Sequence, residues 1–236
     1  MRKPNAVIIF LGPPGAGKGT QAARFSAALS IPAISTGEML RQTVQSQTDL
    51  GKTVESVMAS GQLVSDELIN QVVAERLRQA DCRSGCILDG YPRTASQARF
   101  LDTLLTQLEL PEPVVINFRL AIEKIVDRLS RRRQCPECGS SYTVKSKVEE
   151  ARCHRDGAIL IRRADDNPSA IRRRLELYRA TSSEVIDFYR ARNYHEVVAA
   201  RTPKQIFSEL IHLLGTRMPP AAAPLVRRSV QVSALA

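Results

Sequence analysis

The feature that most constrains the fold is a glycine-rich segment near the N-terminus, Gly12-Pro13-Pro14-Gly15-Ala16-Gly17-Lys18-Gly19-Thr20. An apolar run, residues 6–11, precedes it, and an alanine-rich stretch typical of a helix, residues 21–29, follows it. Strand, glycine loop and helix in this order form the context of a P-loop, in which backbone N–H groups and a helix N-terminus face phosphate oxygens. Lys18 adds a positive charge that can reach the outer phosphates of a nucleotide.

The segment departs from the usual P-loop pattern at one position. Gly19 stands where Ser or Thr ordinarily supplies a Mg²⁺ ligand, and the hydroxyl comes one residue later, at Thr20. A carboxylate is therefore expected nearby to hold Mg²⁺, directly or through water, and Asp89 at the end of a predicted strand is the candidate. The alternatives are a loop that binds nothing and an Asp89 that only starts a turn.

Four further short apolar segments predict strands, at residues 31–34, 86–89, 114–118 and 195–198. Helical periodicity lies between them, so the chain is predicted to form an α/β fold with a five-stranded parallel sheet and two inserted lobes. Ligands of such sheets bind at the carboxyl ends of the strands, where Gly12, Thr36 and Asp89 fall.

Composition and charge narrow the class of ligand. The net charge of +10 in 236 residues suits an anion, whether a nucleotide, a nucleic acid or an acidic membrane surface. No apolar run reaches the ~18 residues of a membrane span. The glycine loop begins too early for a cleavable signal to precede it, so a cytoplasmic location is expected.

The segment 134–164 has little hydrophobic periodicity and is predicted to be an inserted lobe. Cys135-x-x-Cys138 and Cys153-x-x-Asp156 form two half-sites of equal spacing, which favours a structural Zn²⁺ held by four protein side chains. His154 is an alternative fourth ligand, although its adjacency to Cys153 would strain the chelate. An unmetallated lobe and a redox pair are the other interpretations. A lobe this poor in apolar residues needs such a cross-link to fold.

Arginines at element ends and on helix faces form a further pattern. Phosphoryl transfer requires stabilisation of charge on phosphate oxygens, which forked guanidinium groups provide. For each arginine taken alone, a solvated helix face is the alternative interpretation. The members of this set are Arg41, Arg93, Arg128, Arg132, Arg163 and Arg174.

Together these segments resemble the adenylate kinases, in the long form that has a zinc-bearing lid. The resemblance spans residues 6–214 and rests on Gly-Pro-Pro-Gly-Ala-Gly-Lys-Gly-Thr at 12–20, Ser-Thr-Gly-Glu-Met-Leu-Arg at 35–41, Asp-Gly-Tyr-Pro-Arg at 89–93 and Arg-Ala-Asp-Asp at 163–166. Gly-Lys-Gly-Thr is the ordinary loop of that family, which accounts for Gly19. The resemblance implies reversible transfer of the γ-phosphoryl group of MgATP to AMP, giving two ADP. The protein is expected to be a monomer with no nucleic-acid or membrane partner.

The resemblance also implies three parts. They are a P-loop core (1–34, 65–130 and 167–215), a helical lobe that binds AMP (35–64) and a cysteine lobe that closes over ATP as a lid (131–166). The Pro/Ala-rich residues 216–236 are predicted to be a disordered tail.

Motif positions assign the ligand contacts. The predicted ATP contacts are Gly15, Ala16, Gly17, Lys18, Gly19, Thr20, Arg132, Ser141, Tyr142 and Thr202. The predicted AMP contacts are Thr36, Arg41, Gln62, Leu63, Val64, Gly90, Tyr91, Pro92, Arg93, Gln97, Arg163 and Arg174. The groups predicted to handle charge during transfer are Lys18, Asp89, Arg93, Arg132, Arg163 and Arg174.

Three other functions compete with this one. A kinase of UMP or CMP is the nearest, but Thr36 follows the AMP-type pattern, where pyrimidine kinases tend to have Ala. A switch GTPase lacks support because the chain has no Asn/Thr-Lys-x-Asp and no Asp-x-x-Gly segment. A zinc-ribbon nucleic-acid binder would need aromatic side chains near the cysteines, and only Tyr142 is there.

Overall fold

The computed structural model of the protein describes residues 6–45, 49–60, 62–144 and 151–215, so the predicted tail lies outside the described residues. The strands are β1 Ala6–Leu11, β2 Ala33–Ser35, β3 Gly85–Asp89, β4 Val114–Arg119, β5 Arg132–Gln134, β6 Ser141–Thr143 and β7 Tyr194–Val198. The helices are α1 Lys18–Leu29, α2 Thr36–Gln45, α3 Asp49–Ala59, α4 Asp66–Leu77, α5 Ala95–Gln107, α6 Ile122–Ser130, α7 Pro168–Arg190 and α8 Pro203–Leu214.

Five of these strands form one parallel sheet in the order β2-β3-β1-β4-β7. The first strand is central, and it pairs on one side with β3 (Phe10 with Asp89) and on the other with β4 (Leu11 with Asn117). The predicted α/β fold is confirmed. Because all five strands are parallel, their carboxyl ends meet at one edge, and the glycine loop leaves from the middle of that edge.

The central strand is buried on both faces, as its unbroken apolar sequence requires. Val7 and Ile9 face a core that includes side chains of α4, α5 and α7. Phe10 faces the opposite core, where its ring lies 6.0 Å from that of Phe25 on α1 and 5.2 Å from that of Phe118, measured between centroids. Each such buried side chain contributes about 1.5–3 kcal/mol. This packing fixes the position of α1 behind the loop.

Two strand boundaries differ from the predicted ones for backbone reasons. The strand predicted at 31–34 begins at Ala33, since Pro32 has no N–H and joins the sheet only through its carbonyl, which accepts from Ile87 N at 2.9 Å. The strand predicted at 86–89 begins one residue earlier at Gly85, which has φ +101°. A Cβ there would lie 2.0 Å from Ala6 O, so only glycine allows β1 and β3 to approach.

The cysteine lobe contains a small antiparallel hairpin, β5 with β6, which sequence periodicity did not predict. Its segments are three residues each, and the first is Arg-Arg-Gln, which has no alternation of apolar residues to read. A bridge between Gln134 and Ile161 adds the second half of the lobe to this hairpin. Within the described residues, no helix combines the length and the apolarity that crossing a bilayer would need.

Candidate active site

The loop between β1 and α1 is shaped by glycines at two positions where a side chain is not tolerated. Gly12 has φ +134°, and a Cβ there would lie 2.6 Å from the carbonyl oxygen of Phe118. Gly17 has φ +97° and is the N-cap of α1, so no side chain covers the first turn of that helix. The N–H groups of the first turn are therefore open to an anion, and the helix dipole favours one.

Lys18 lies folded against this loop. Its Nζ donates to the carbonyl oxygens of Gly12 and Pro13, both at 2.9 Å. Burial lowers the pKa of Lys18 to about 8, an effect that nearby Asp89 opposes and the charges of Arg93 and Arg174 reinforce. A phosphate anion would stabilise the charged form of Lys18, which burial disfavours in the free protein.

Asp89 lies directly beside the residue that departs from the usual P-loop pattern. A Cβ on Gly19 would be 3.1 Å from Asp89 Oδ2, so the carboxylate takes the room that a serine or threonine side chain would need. Asp89 is the last residue of β3, next to the end of β1. Oxygen ligands of this kind suit Mg²⁺, so Asp89 and a nucleotide phosphate fit the ion that accompanies ATP.

A cavity lies where the helical lobe meets the carboxyl edge of the sheet and the start of α7. Nine of the twelve predicted AMP contacts line it: Thr36, Arg41, Gln62, Leu63, Val64, Gly90, Arg93, Gln97 and Arg174. The other three lie elsewhere. Tyr91 is in the core, where its hydroxyl donates to Asn70 Oδ1 at 2.6 Å, Pro92 borders an adjoining cavity, and the Arg163 guanidinium donates to Ser141 Oγ at 2.7 Å.

Sequence reasoning missed five residues that line the same cavity. Leu40, Met58 and Ile69 add apolar wall that a nucleobase can pack against, while Gly37 and Asp165 border its polar part. Leu40 and Asp165 fall inside recognised motifs, which is a signal that could have marked them. Met58 and Ile69 carry no such signal because an apolar helix position does not tell a cavity wall from a core.

A hydrogen-bond network fixes the polar end of the cavity. Gln97 Nε2 donates to Asp66 Oδ1 at 2.6 Å, and Gln97 Oε1 accepts from Arg93 N at 2.7 Å. The other oxygen of Asp66 accepts from Thr94 Oγ1 at 2.7 Å. Thr36 Oγ1 donates to Gly90 O at 3.1 Å. The amide of Gln97 therefore has one orientation, and Asp66 is the residue that sets it.

The arginines converge on the space between this cavity and the glycine loop. Arg93 Nε donates to Gly90 O at 2.7 Å, and burial, with the neighbouring charge of Arg174, lowers the pKa of Arg93 to about 10. Burial likewise lowers the pKa of Arg163 to about 10, with Arg41 and Arg132 adding to the effect. These groups stay charged at neutral pH. Because several positive charges lie close together, the site attracts anions strongly.

Two consecutive carboxylates hold two arginines at the base of the cysteine lobe. Arg174 Nη1 donates to Asp165 Oδ2 at 2.8 Å, and Arg132 binds both oxygens of Asp166. Arg128 differs from the rest of the predicted set. Its guanidinium donates to Ala16 O at 3.4 Å and to Ala199 O at 2.9 Å, which joins the glycine loop to the turn after β7.

The predicted ATP contacts outside the loop lie in two places. Ser141 and Tyr142 are on β6 of the cysteine lobe, and the Tyr142 hydroxyl is 3.1 Å from Cys153 Sγ. Thr202 caps α8, and its hydroxyl forms a capping box with Gln205. The start of α8 lies against α1, as the bond from Gln21 Nε2 to Pro203 O at 3.0 Å shows.

The four predicted zinc ligands come together. The Sγ atoms of Cys135, Cys138 and Cys153 and a carboxylate oxygen of Asp156 all lie within 4.8 Å of one another. Cys138 Sγ is 3.5 Å from Cys153 Sγ, and Cys135 Sγ is 3.3 Å from Asp156 Oδ1. Tetrahedral zinc bound by sulfur at ~2.3 Å needs ligand separations of about 3.8 Å, so the donor set fits Zn²⁺.

The backbone around the cluster repeats in its two halves. Cys138 N donates to Cys135 Sγ and Arg155 N to Cys153 Sγ, each at 3.4 Å. Each half then ends in a glycine with positive φ, Gly139 at +70° and Gly157 at +77°. N–H bonds to sulfur stabilise thiolates. The ring of His154 stacks on that of Tyr142 instead of entering the cluster.

A phosphate-binding loop and a second cavity adjoin each other, and Arg93 and Arg174 line both, as transfer of a phosphoryl group between two bound ligands requires. This arrangement defines a P-loop phosphotransferase. Comparison with known proteins identifies which one. The sequence model of the family described as "Adenylate kinase" matches residues 10–194.

Curated proteins align with most of the chain. The adenylate kinase of Anaeromyxobacter sp. (strain Fw109-5) is 44% identical over 213 residues, 89% of this chain and 100% of that protein. The adenylate kinase of Archaeoglobus fulgidus is 41% identical over 88% of this chain and 97% of its own length. That of Thermoanaerobacter sp. (strain X514) is 38% identical over 89% and 98%. The chain belongs to the adenylate kinase family, the ATP:AMP phosphotransferases, whose substrates and products are ATP, AMP and ADP.

Proposed function

We propose that the chain catalyses reversible transfer of the γ-phosphoryl group of MgATP to AMP, giving two ADP, with the residue roles that follow. The observation that carries the proposal is the junction of the two ligand places. Gly90, Arg93 and Arg174 line both the AMP cavity and the adjoining cavity that contains Gly12 and Lys18. A group moving between the two nucleotides passes these residues.

The ATP phosphates bind in the loop from Gly15 to Thr20. The backbone N–H groups of the α1 N-terminus and Lys18 supply the charge, and Lys18 exchanges its carbonyl partners for phosphate oxygens. Mg²⁺ bound with ATP neutralises charge on the phosphates, and Asp89 is the protein group that holds it. Arg132, Ser141 and Tyr142 approach from the cysteine lobe, and Thr202 borders the base.

AMP binds in the cavity of the helical lobe. Its adenine packs among the apolar side chains there, and Gln97, already oriented by Asp66, meets its polar edge. Arg41 and Arg93 bind the AMP phosphate. A bidentate guanidinium–phosphate pair fixes direction as well as charge, which holds the attacking oxygen in line with the γ-phosphorus.

No strong general base is needed for the transfer. The attacking AMP phosphate oxygen is already ionised at neutral pH, so the barrier lies in positioning and in the charge of the transferring group. Arg93, Arg163 and Arg174 stabilise that charge. Lys18 and Arg132 do so from the ATP side. Closure of the cysteine lobe excludes water, which would otherwise take the phosphoryl group.

The cysteine lobe is proposed to owe its folding to one structural Zn²⁺. Cys135, Cys138, Cys153 and Asp156 would hold the ion, leaving no open position for a substrate. We further propose that the protein is a cytoplasmic monomer without a nucleic-acid or membrane partner, because every basic group named above is engaged around the nucleotide sites.

One set of assays on the purified zinc-loaded protein tests the function. ADP formation from ATP is measured with AMP, UMP, CMP and GMP as acceptors. We expect strong preference for AMP, because Thr36 follows the AMP-type pattern and Gln97 lines the cavity proposed to hold the base. ADP formation with UMP or CMP at a comparable rate would favour the pyrimidine kinases instead. Salt-dependent retention on DNA with no kinase activity would favour a nucleic-acid binder.

A further inference from the structure

Glu38 lies within the motif 35–41, yet nothing above gives it a role. It sits in the first turn of α2, three residues before Arg41. Its Oε2 accepts from Arg41 Nε at 3.2 Å and from Arg41 Nη2 at 2.8 Å. One carboxylate oxygen thus holds two of the three nitrogens of the guanidinium that is proposed to bind the AMP phosphate.

The third nitrogen of that guanidinium points elsewhere. Arg41 Nη1 lies 3.5 Å from the position that a Cβ on Gly37 would take. Gly37 and Arg41 both line the AMP cavity, whereas Glu38 does not. Glu38 therefore holds the guanidinium from outside the cavity, while Arg41 Nη1 lies on the side of Gly37, a residue that lines the cavity.

The other oxygen of Glu38 meets the cysteine lobe. A Cβ on Gly139 would lie 3.3 Å from Glu38 Oε1. Gly139 directly follows the zinc ligand Cys138, and its N–H donates to Cys135 O at 3.1 Å. The first half of the cysteine cluster thus presents bare backbone to Glu38 at this position.

We propose that Glu38 is a positioning residue for phosphoryl transfer. Its Oε2 orients Arg41 toward the AMP phosphate. Its Oε1 contacts Gly139 when the cysteine lobe closes, so the lobe closes onto an Arg41 that is already oriented. The proposal rests on the proposed function, because it takes Arg41 as an AMP contact.

If Glu38 acted only through its charge, its removal would strengthen AMP binding, whereas the proposal predicts weaker binding. A carboxylate near a bound phosphate repels it, so a Glu38 that merely competes for Arg41 would weaken AMP binding, and its removal would lower KM for AMP. A Glu38 that orients Arg41 strengthens AMP binding, because a charge-assisted contact depends on direction as well as charge. The sign of the change separates the two.

The proposed orientation of Arg41 is tested by the kinetics of Glu38→Ala and Glu38→Gln, measured on the zinc-loaded full chain. We expect KM for AMP to rise about ten-fold for Glu38→Ala, with kcat and KM for ATP within about three-fold of the wild type. Glu55→Gln is the control, since it removes an exposed carboxylate from the same lobe. In an Arg41→Ala background, Glu38→Ala should change KM for AMP no further.

Two glycines provide a matched test of the Gly139 half. Gly139 and Gly157 have nearly equal positive φ and equivalent places in the two halves of the cluster, but a Cβ on Gly157 would have nothing within 4 Å. Both alanine variants therefore place a side chain at a similar left-handed backbone position, and the close contact that only Gly139→Ala adds is with Glu38. We expect Gly139→Ala to raise KM for AMP at least three-fold above Gly157→Ala, and the difference to vanish in the Glu38→Ala background.

An unchanged or lower KM for AMP in Glu38→Ala would overturn the proposal, as would an equal rise in the Arg41→Ala background. Equal behaviour of the two glycine variants would overturn the contact with the lid. Failure of the proposed function appears in the wild type, as no ADP formed from ATP and AMP or as comparable use of UMP or CMP, so the two failures are distinguishable.

Discussion

Arg132 is held by both carboxylate oxygens of Asp166, and that aspartate is 0% exposed. The Nε bond is 2.6 Å long. Arg162 also donates to the backbone carbonyl of Asp166, at 2.6 Å from Nη2. The buried carboxylate of Asp166 therefore fixes the position of Arg132 at the base of the cysteine lobe. It does not act as a solvated cap for α7.

Asp166→Ala is expected to lower the free energy of unfolding by about 3 kcal/mol, because it removes a buried carboxylate and leaves the partly buried Arg132 and Arg174 without that counter-charge. Turnover should fall with it, since Arg132 loses its orientation. Asp127→Ala is the control. It removes the partner of Arg131 at the surface and should cost less than about 1 kcal/mol. Urea denaturation of both variants checks this, and equal losses would contradict the role given to Asp166.

Nucleotide binding is expected to weaken as pH rises above about 8. Lys18 has a pKa of about 8 in the free protein, and phosphate oxygens favour its charged form, so binding takes up a proton once the pH exceeds that value. Calorimetric Kd for ATP should rise about ten-fold per pH unit between pH 8.5 and 9.5. Lys18→Met should bind ATP weakly with no such slope, and should cut turnover by orders of magnitude.

The same shift predicts a change in stability of the free protein. The folded pKa of Lys18 lies below the ordinary lysine value of 10.5, so between about pH 8 and 10.5 the unfolded chain holds a proton that the folded chain has lost. The contribution of Lys18 to the free energy of unfolding therefore rises with pH across this window. Lys18→Met should remove that contribution. An identical pH profile for wild type and variant would contradict it.

Arg93→Ala is expected to reduce kcat by about 10³-fold while leaving the fold intact. The guanidinium borders both ligand places, and its bond to Gly90 O is to a single carbonyl, so little structure depends on it. Arg83→Ala, an exposed arginine, should behave as the wild type. Normal ADP formation by a folded Arg93→Ala protein would exclude the assigned chemistry.

Gly19→Ser restores the residue type of the usual P-loop pattern, yet we expect it to impair the enzyme. Its side chain would press on Asp89 at the 3.1 Å approach, and the carboxylate would have to move. The Mg²⁺ concentration for half-maximal rate should therefore rise several-fold. Ala23→Ser, on the exposed face of α1, should leave it unchanged. A Gly19→Ser protein with normal Mg²⁺ dependence would argue against Asp89 as the group that holds the ion.

Zinc content separates the two candidates for the fourth ligand. Asp156→Ala should lose most of the metal and lower the unfolding temperature, because the carboxylate lies within the cysteine cluster. His154→Ala should keep the metal, since the His154 ring stacks on Tyr142 outside that cluster. Metal analysis of the two purified variants decides the matter, and the reverse pattern would reassign the ligand.

Much of this architecture was predictable because the short motifs directly follow apolar runs that predict strands. The unbroken apolar run before Gly12 predicts a strand buried on both faces, and Asp89 and Thr36 follow strands in the same way. The nine cavity residues were predicted through motif positions. The equal gaps of the two half-sites identified the four clustered side chains, which lie within 4.8 Å of one another, but spacing left His154 as an alternative fourth ligand.

What the sequence could not reveal depends on long-range contacts. Met58 and Ile69 become cavity walls only when two helices pack, and their own periodicity is that of ordinary core residues. Asp66 orients Gln97 from 31 residues away. The hairpin of the cysteine lobe has too few apolar residues to show a pattern. Its shape comes from the cluster and from the bridge to Ile161.

The bonds of Arg128 to Ala16 O and Ala199 O span the two ends of the proposed ATP site. One end is the loop that takes the phosphates, and the other is the turn that leads to Thr202, where the base is proposed to lie. A single guanidinium thus ties the two segments together. Loss of these bonds would release the two segments from each other, so Arg128 would affect how well one nucleotide reaches both of them.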